Sequence, residues 1–304
     1  MSEEPRKSSS PSIYIIDMKN SRGGDGHGIE WFPYIAFAMT FVLILALVLA
    51  LTLRHTSAAA AAVPHRHDNN KHGHLKALVY RGPASCDGCP EAVANLLTSS
   101  PENIRVAYVG PKEKTKLTRD ALSKVDIYAQ PGGGDLDEAW PHLHSSKSTI
   151  RKFVQNGGRY IGFCLGAYLA GHGPGFDLLH PKDDTDQEVK QPDSQVKDEE
   201  KDTIIQVDWD FSNGTKAKGR WMYFQDGAVI ELEHGSKAKV LGRYSSNGNP
   251  AATLNKFGKG WVGVIGPHPE ADQSWYDSYG ISNPDGIHFD IGYDFLGTVV
   301  NAGR

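Results

Sequence analysis

The sequence predicts an α/β fold: a flavodoxin-like, mostly parallel sheet with helices on both faces, plus a strand-rich C-terminal half and a single N-terminal transmembrane helix. Three observations predict it. Short apolar runs alternate with helix-forming segments between Lys76 and Gly171, and repeated strand–helix units of this size specify a parallel sheet covered on both faces. Beyond Gly171, strand-like runs follow one another through turns containing Gly or Asn. Trp31 to Leu53 is a 23-residue stretch without a charge.

In chain order, residues 1–30 are polar, rich in Ser, Gly and charge, and without sustained periodicity, so they read as a disordered tail. Residues 31–53 follow. At about 1.5 Å per residue such a stretch crosses a hydrocarbon core of about 30 Å. Trp31, Phe32 and Tyr34 mark one end as interfacial aromatics, and Arg54 and His55 close the other. A cleaved signal peptide is the alternative, with Ala58 to Ala62 offering small residues, but the apolar core is long and distant from Met1. The expectation is therefore a single-pass membrane protein, its N-terminus cytosolic and its C-terminal domain lumenal or extracellular. Lys and Arg are nearly balanced on the two sides and barely orient it. Asn213-Gly214-Thr215, a potential glycosylation acceptor, leans the same way. Residues 54–74 form a linker of alanines and then histidines. His65, His67, His72 and His74 have no carboxylate or thiolate at fixed spacing, so a solvated stalk is favoured over a metal site.

The remaining residues, 75–304, read as one domain. Strands are expected at 76–80, 104–109 and 126–129, and helices at 91–97, 119–124 and 149–156, the last ended by Gly157-Gly158. Further strands are expected at 204–209, 220–224, 228–232, 239–244, 251–255 and 261–265, before a closing helix at 291–301. Residues 181–202, dominated by Asp, Glu, Lys and Gln, read as an acidic disordered insertion; a cover over the site is the lesser alternative. The formal net charge of −4 provides no global basic field, so nucleic acid is not an expected partner.

Chemistry concentrates in three places. Gly162-Phe163-Cys164-Leu165-Gly166 puts Cys164 where an apolar strand gives way to a helix-forming stretch. A nucleophile on such a turn is exposed at the carboxyl edge of a sheet, and small flanking residues are what the turn tolerates. The positive end of a following helix favours thiolate over thiol. His268-Pro269-Glu270, after another apolar run, offers a base and a group to orient it; in an extended segment both side chains point the same way. Gly132-Gly133-Gly134 follows the third strand, where backbone N–H groups can approach a ligand closely. With the N–H of Leu165, Gly133 or Gly134 would hold an oxyanion. Each piece alone has a structural reading: a core cysteine, a turn, a surface loop.

The pattern Gly-Phe-Cys-Leu-Gly with a distant His-Pro-Glu resembles the Cys-His-Glu triad of class I glutamine amidotransferases. It is most similar to the domain at the N-terminus of some biotin–protein ligases, in Val79-Tyr80-Arg81-Gly82-Pro83, Pro131-Gly132-Gly133-Gly134-Asp135, Gly157 through Tyr168, and Gly266-Pro267-His268-Pro269-Glu270-Ala271. The resemblance runs from Leu75 to the C-terminus and implies Cys164 as nucleophile, His268 as base, Glu270 as its orienting group, and Gly133 or Gly134 opposite Leu165. It departs from the amidotransferases at Ala167-Tyr168, where they carry a glutamine that holds substrate, so glutamine is a doubtful substrate. No acceptor domain and no biotin-ligase catalytic domain is recognisable.

The expected function is a membrane-anchored, thiol-dependent hydrolase or acyl transferase acting on a small molecule with an amide-type carbonyl, without cofactor or metal. The alternatives are a binding or sensing module that keeps the triad without turnover, and thiol–disulfide exchange through Cys86-Asp87-Gly88-Cys89. For that pair, a structural disulfide that leaves Cys164 the free thiol is the favoured reading. Asp135, Tyr168, Trp221, Tyr223, Gln225, Asp226 and Trp275 are candidates to line a pocket, with no catalytic role assigned.

Overall fold

The computed structural model describes residues 74–304. The chain alternates strand and helix: β1 (Lys76–Tyr80), α1 (Cys89–Ser99), β2 (Arg105–Val109), α2 (Arg119–Leu122), β3 (Ile127–Gln130), α3 (Leu136–Leu143), α4 (Lys147–Gln155), β4 (Arg159–Phe163) and α5 (Leu165–Tyr168). Strands then dominate, with β5 (Asp184–Gln187), β6 (Thr203–Asp210), β7 (Lys216–Phe224), β8 (Ala228–Glu231), β9 (Lys239–Tyr244), β10 (Pro250–Phe257) and β11 (Gly260–Ile265). Helices α6 (Gln273–Ser278) and α7 (Asp290–Asn301) close the chain.

The strand period of two separates the residues of β1 between two cores. Ala77 and Val79 pack with Val93 and Leu97 of α1 and Phe295 and Val299 of α7. Leu78 and Tyr80 face the opposite side, where Leu143, Ile150 and Val154 cover the sheet from α3 and α4. Nine strands form one sheet in the order β2-β1-β3-β4-β11-β10-β9-β6-β7. The first five run parallel, in the order expected of a flavodoxin-like sheet, with β11 in the fifth place beside β4.

Several expectations need correction. The sheet is mixed rather than mostly parallel, because every pairing from β11 outward to β7 is antiparallel. The strand-rich half extends the same sheet, because short turns return β10 against β11 and β7 against β6. The polar segment 181–202, expected to be disordered, contains β5, which pairs with β8 in a two-stranded sheet. Its backbone hydrogen bonds go to β8, and the fully buried Asp183 beside it accepts from Glu233 N at 3.1 Å and from Ser236 Oγ at 2.6 Å. The transmembrane span at 31–53, like the tail and the linker up to residue 73, lies outside the described residues. Among the described residues no helix is long and apolar enough to cross a membrane. The single-pass topology and the lumenal placement built on it are withdrawn.

Candidate active site

The turn after β4 puts Cys164 at the carboxyl edge of the sheet, beside the central strand β11. Its backbone takes φ 47°, ψ −107°, in the half of the map that a residue with a Cβ rarely enters. Tight packing around the turn holds that conformation. A Cβ on Gly162 would collide with the backbone carbonyl of Gly166, and a Cβ on Gly166 would collide with that of Gln130. Both glycines are needed because strand and turn cross with no space between them. The buried Tyr160 hydroxyl donates to Gly166 O at 2.7 Å, and Cys164 N donates to Ile265 O of β11 at 2.9 Å. The helix that follows is a single turn, so the expected field of a long helix on the sulfur is largely absent.

His268 and Glu270 follow β11, so the parallel pairing of β4 with β11 brings their loop to the same edge as Cys164. Glu270 Oε1 lies 2.8 Å from His268 Nδ1, and both side chains are buried. Pro269 and Glu270 form a turn, not the extended segment anticipated, and His268 N donates to Tyr223 O of β7 at 2.9 Å. Gly132 reports how close the two loops come. A Cβ there would lie 2.7 Å from His268 Cε1 and 3.6 Å from the Cβ of Cys164. Burial alone would depress the His268 imidazole. The Glu270 carboxylate, and Cys164 by charge and hydrogen bonding, outweigh it and push it up to about 10. The ring thus answers to two partners, Glu270 local in sequence and Cys164 across the fold.

The glycine loop forms the opposite wall. A Cβ on Gly133 would come within 2.6 Å of Leu165 Cδ2 and 3.2 Å of Ser85 Cα, so the loop is wedged between the turn and the segment after β1. The N–H groups of Gly133, Gly134 and Leu165 donate to no other group of the described chain. Cys86 and Cys89 are joined as a disulfide, and Cys164 is the free cysteine. Cys86 N donates to Gly132 O at 3.1 Å, which ties the disulfide loop to the glycines. The buried Gln130 reinforces that tie, donating to Ala84 O at 2.8 Å and accepting from Tyr128 Oη at 2.7 Å.

Two cavities flank this junction. The first, about 470 Å³, is lined by Cys164, Leu165, Gly133, Gly134 and Tyr168, and by six carboxylates: Asp135, Asp137, Glu138, Asp186, Glu199 and Asp226. No Lys, Arg or His lines it. Tyr168 Oη donates to Asp226 O at 3.0 Å. Asp226 accepts from Gln187 Nε2 at 2.7 Å through one oxygen while the other is buried without a partner. Burial raises the Asp226 carboxyl above its ordinary range; the hydrogen bond from Gln187 opposes it, and Glu199 and Asp135 add to it against Lys190. The second cavity, about 440 Å³, is lined by His268, Cys86, Cys89, Tyr223, Trp275 and Tyr279, among others. Cys164 is only 6 % exposed, yet it opens on the first cavity, and its Sγ lies 3.7 Å from Gln225 O.

Of the other sequence candidates, Asp135 precedes α3 without a side-chain cap, and Trp221 lines neither cavity. Asn213 is exposed in the turn between β6 and β7, where its Oδ1 accepts from Thr215 N at 2.9 Å and Thr215 Oγ1 at 2.7 Å. Sequence reasoning missed α6, which supplies Trp275 against the His268 ring at 5.1 Å between centroids. It also missed Asp186 and Glu199 in the first cavity, though it offered Asp226. The β5–β8 pairing brings Gln187 to Asp226, and Gln187 Nε2 also donates to Glu199 at 3.2 Å; so polar a segment gives that pairing no local signature.

Among solved structures, the chain is similar to that of PurLQS from Thermotoga maritima. The identity is 18 %, over 75 % of this chain and 99 % of that one, with a TM-score of 0.49. A cytoplasmic protein from Salmonella typhimurium LT2 is 13 % identical over 74 % of this chain and 99 % of its own, with a TM-score of 0.45. A β-galactosidase from Bacillus circulans sp. alkalophilus is 16 % identical over 69 % of this chain and 32 % of its own, at 0.38. At such scores these likenesses carry no functional weight. No curated protein matches the chain. Residues 75–192 match the model of the family described as Biotin-protein ligase, N terminal, the one its motifs resemble; Cys164 and the glycine loop fall inside that segment, His268 and Glu270 beyond it.

Proposed function

We propose that this domain is a cysteine-dependent hydrolase or acyl transferase acting on an amide-type carbonyl. The observation that carries the reading is the convergence around Gly132. A free cysteine on a strained strand-to-helix turn and an imidazole oriented by a buried carboxylate approach the same glycine from two loops about a hundred residues apart. In this reading Cys164 adds to the carbonyl carbon as thiolate, and the carbonyl oxygen takes the negative charge. The unpartnered N–H groups of Gly133 or Gly134 and of Leu165 receive it. His268, whose Nδ1 is committed to Glu270, gives a proton from its other nitrogen to the departing amine as the C–N bond breaks. A thioester on Cys164 remains, and water or an acceptor nucleophile releases it with His268 as base.

The resemblance to class I glutamine amidotransferases supports the same roles, but Tyr168 lines the cavity near where those enzymes hold glutamine. The six carboxylates that line this cavity disfavour an acyl portion bearing a carboxylate of its own, as that of glutamine does. Two measurements test the reading: iodoacetamide labelling of Cys164 at neutral pH, and metabolite turnover by the full chain against Cys164→Ala. Labelling should run at least tenfold faster than in the unfolded chain, and turnover should vanish in the variant. Labelling no faster than the unfolded control, or turnover unchanged by Cys164→Ala, would overturn it.

A further inference from the structure

The reacting groups are divided between the two cavities. Cys164 lines the first and His268 the second, while Gly133, Gly134 and Gln225 wall both. A general acid must reach the nitrogen it protonates. With the acyl portion on the Cys164 side, the leaving amine departs towards the chamber that His268 lines. Ammonia from a primary amide needs little more room than a water molecule, whose share of liquid is about 30 Å³. The chamber holds about 440 Å³.

One side of it, from β7 and α6, is aromatic. Trp275 packs on His268 and stands edge-on to Tyr223, whose centroid is 5.2 Å away. Tyr279, at 60 % exposure, is the large hydrophobic left exposed among the described residues, and it sits on this chamber. Tyr279 follows Trp275 by four residues at the end of α6, and both rings line this chamber. Flat groups gain both buried area and ring-to-ring geometry from such a pair. Besides His268, the charged groups that line the chamber are Asp87 and Asp202, which do not favour an anion.

We propose that the His268-side chamber is a leaving-group subsite for the amine portion of a secondary amide, whose planar or apolar body stacks on Trp275 and Tyr279. The inference rests on the function proposed above and narrows its substrate class. In the step concerned, the S–C bond to Cys164 forms and the C–N bond breaks. The His268 proton passes to nitrogen, and a neutral arylamine-like product is left in the chamber while the acyl group stays on sulfur.

The test compares alkylation of Cys164 in the full chain by 2-chloroacetamide and by 2-chloro-N-(1-naphthyl)acetamide, each rate normalised to that of free N-acetylcysteine. The naphthyl reagent should gain at least tenfold over the unsubstituted one, and Tyr279→Ala should remove most of that gain. A ratio within twofold of the free thiol, or one unmoved by Tyr279→Ala, overturns the subsite. If Cys164 ignores even 2-chloroacetamide, the proposed catalysis fails on its own. The subsite is then decided by the Cys164→Ala chain, where N-acetyl-1-naphthylamine should bind saturably and at least tenfold more weakly once Tyr279→Ala is added. No saturable binding there overturns it.

Discussion

At the scale of the residue, the site depends on positions that admit no alternative. Gly162→Ala places a methyl group against the carbonyl of Gly166 in a turn with no room to shift. Overpacking of this kind costs about 1–3 kcal/mol, and backbone is the unyielding partner here. The variant should lose at least about 2 kcal/mol in urea unfolding and label more slowly at Cys164, because relief of the clash moves the thiol. His268 supplies a pH dependence with a definite sign. Its imidazole rises from an ordinary 6.5 to about 10 in the folded chain, through Glu270 and Cys164 acting against burial. Between those values the native state binds more protons than the unfolded one, so stability falls as pH rises. The contribution is full below about 6.5 and lost as pH climbs through 10. Denaturant unfolding of the wild type from pH 6 to 10 should show this decline, and His268→Gln should flatten it. An equal slope in both chains would refute the ion-paired imidazole.

At the scale of the element, β3, β4 and β11 act together as the platform, and buried polar side chains lock their loops to it. Tyr160 of β4 holds Gly166 O, and Gln130 of β3 holds Ala84 O ahead of the disulfide loop. Tyr160→Phe should cost about 1–2 kcal/mol, since a buried carbonyl loses its donor. Gln130→Leu should cost more, about 2–3 kcal/mol, because Ala84 O and Tyr128 Oη both lose a partner. Thermal or urea unfolding gives both values, and a neutral Gln130→Leu would show that the loop is held by packing alone. These elements were legible because they are regular. β1 and β9 keep the bounds that their apolar runs imply, and the turn at Cys164 is announced by its flanking glycines. What stayed hidden has a physical reason in each case. Pro141 and the preceding glycines disguise α3, and Asp184–Gln187 has no apolar residue by which to be read as β5. The place of β11 between β4 and β10 is long-range information; no window of the sequence records it. His268 and Glu270 do meet, but through a turn and not through the extended segment that their spacing suggested.

At the scale of the whole molecule, the charge around Cys164 comes equally from two parts of the fold. The parallel half contributes Asp135, Asp137 and Glu138 to the first cavity, and the β5–β8 layer contributes Asp186, Glu199 and Asp226. Asp137 and Glu138 lie in the first turn of α3, where the helix favours them, and Lys190 pairs with Glu199 at 3.5 Å. Asp226 has neither compensation for its buried oxygen. With a net charge of −4 the chain as a whole adds to the negative field instead of opposing it. Low-dielectric walls focus that field on the mouth in front of Cys164, so charged reagents should sense it. A cationic methanethiosulfonate should modify Cys164 faster than an anionic one of the same size, by at least about tenfold relative to a free thiol at low salt, equivalent to ~1.4 kcal/mol. The preference should shrink as added salt brings the screening length to about 3 Å near 1 M. Asp226→Asn should lower it severalfold if the cavity walls set the field. A preference that disappears in salt but ignores Asp226→Asn would assign the effect to the surface at large, leaving the acidic cavity electrostatically silent.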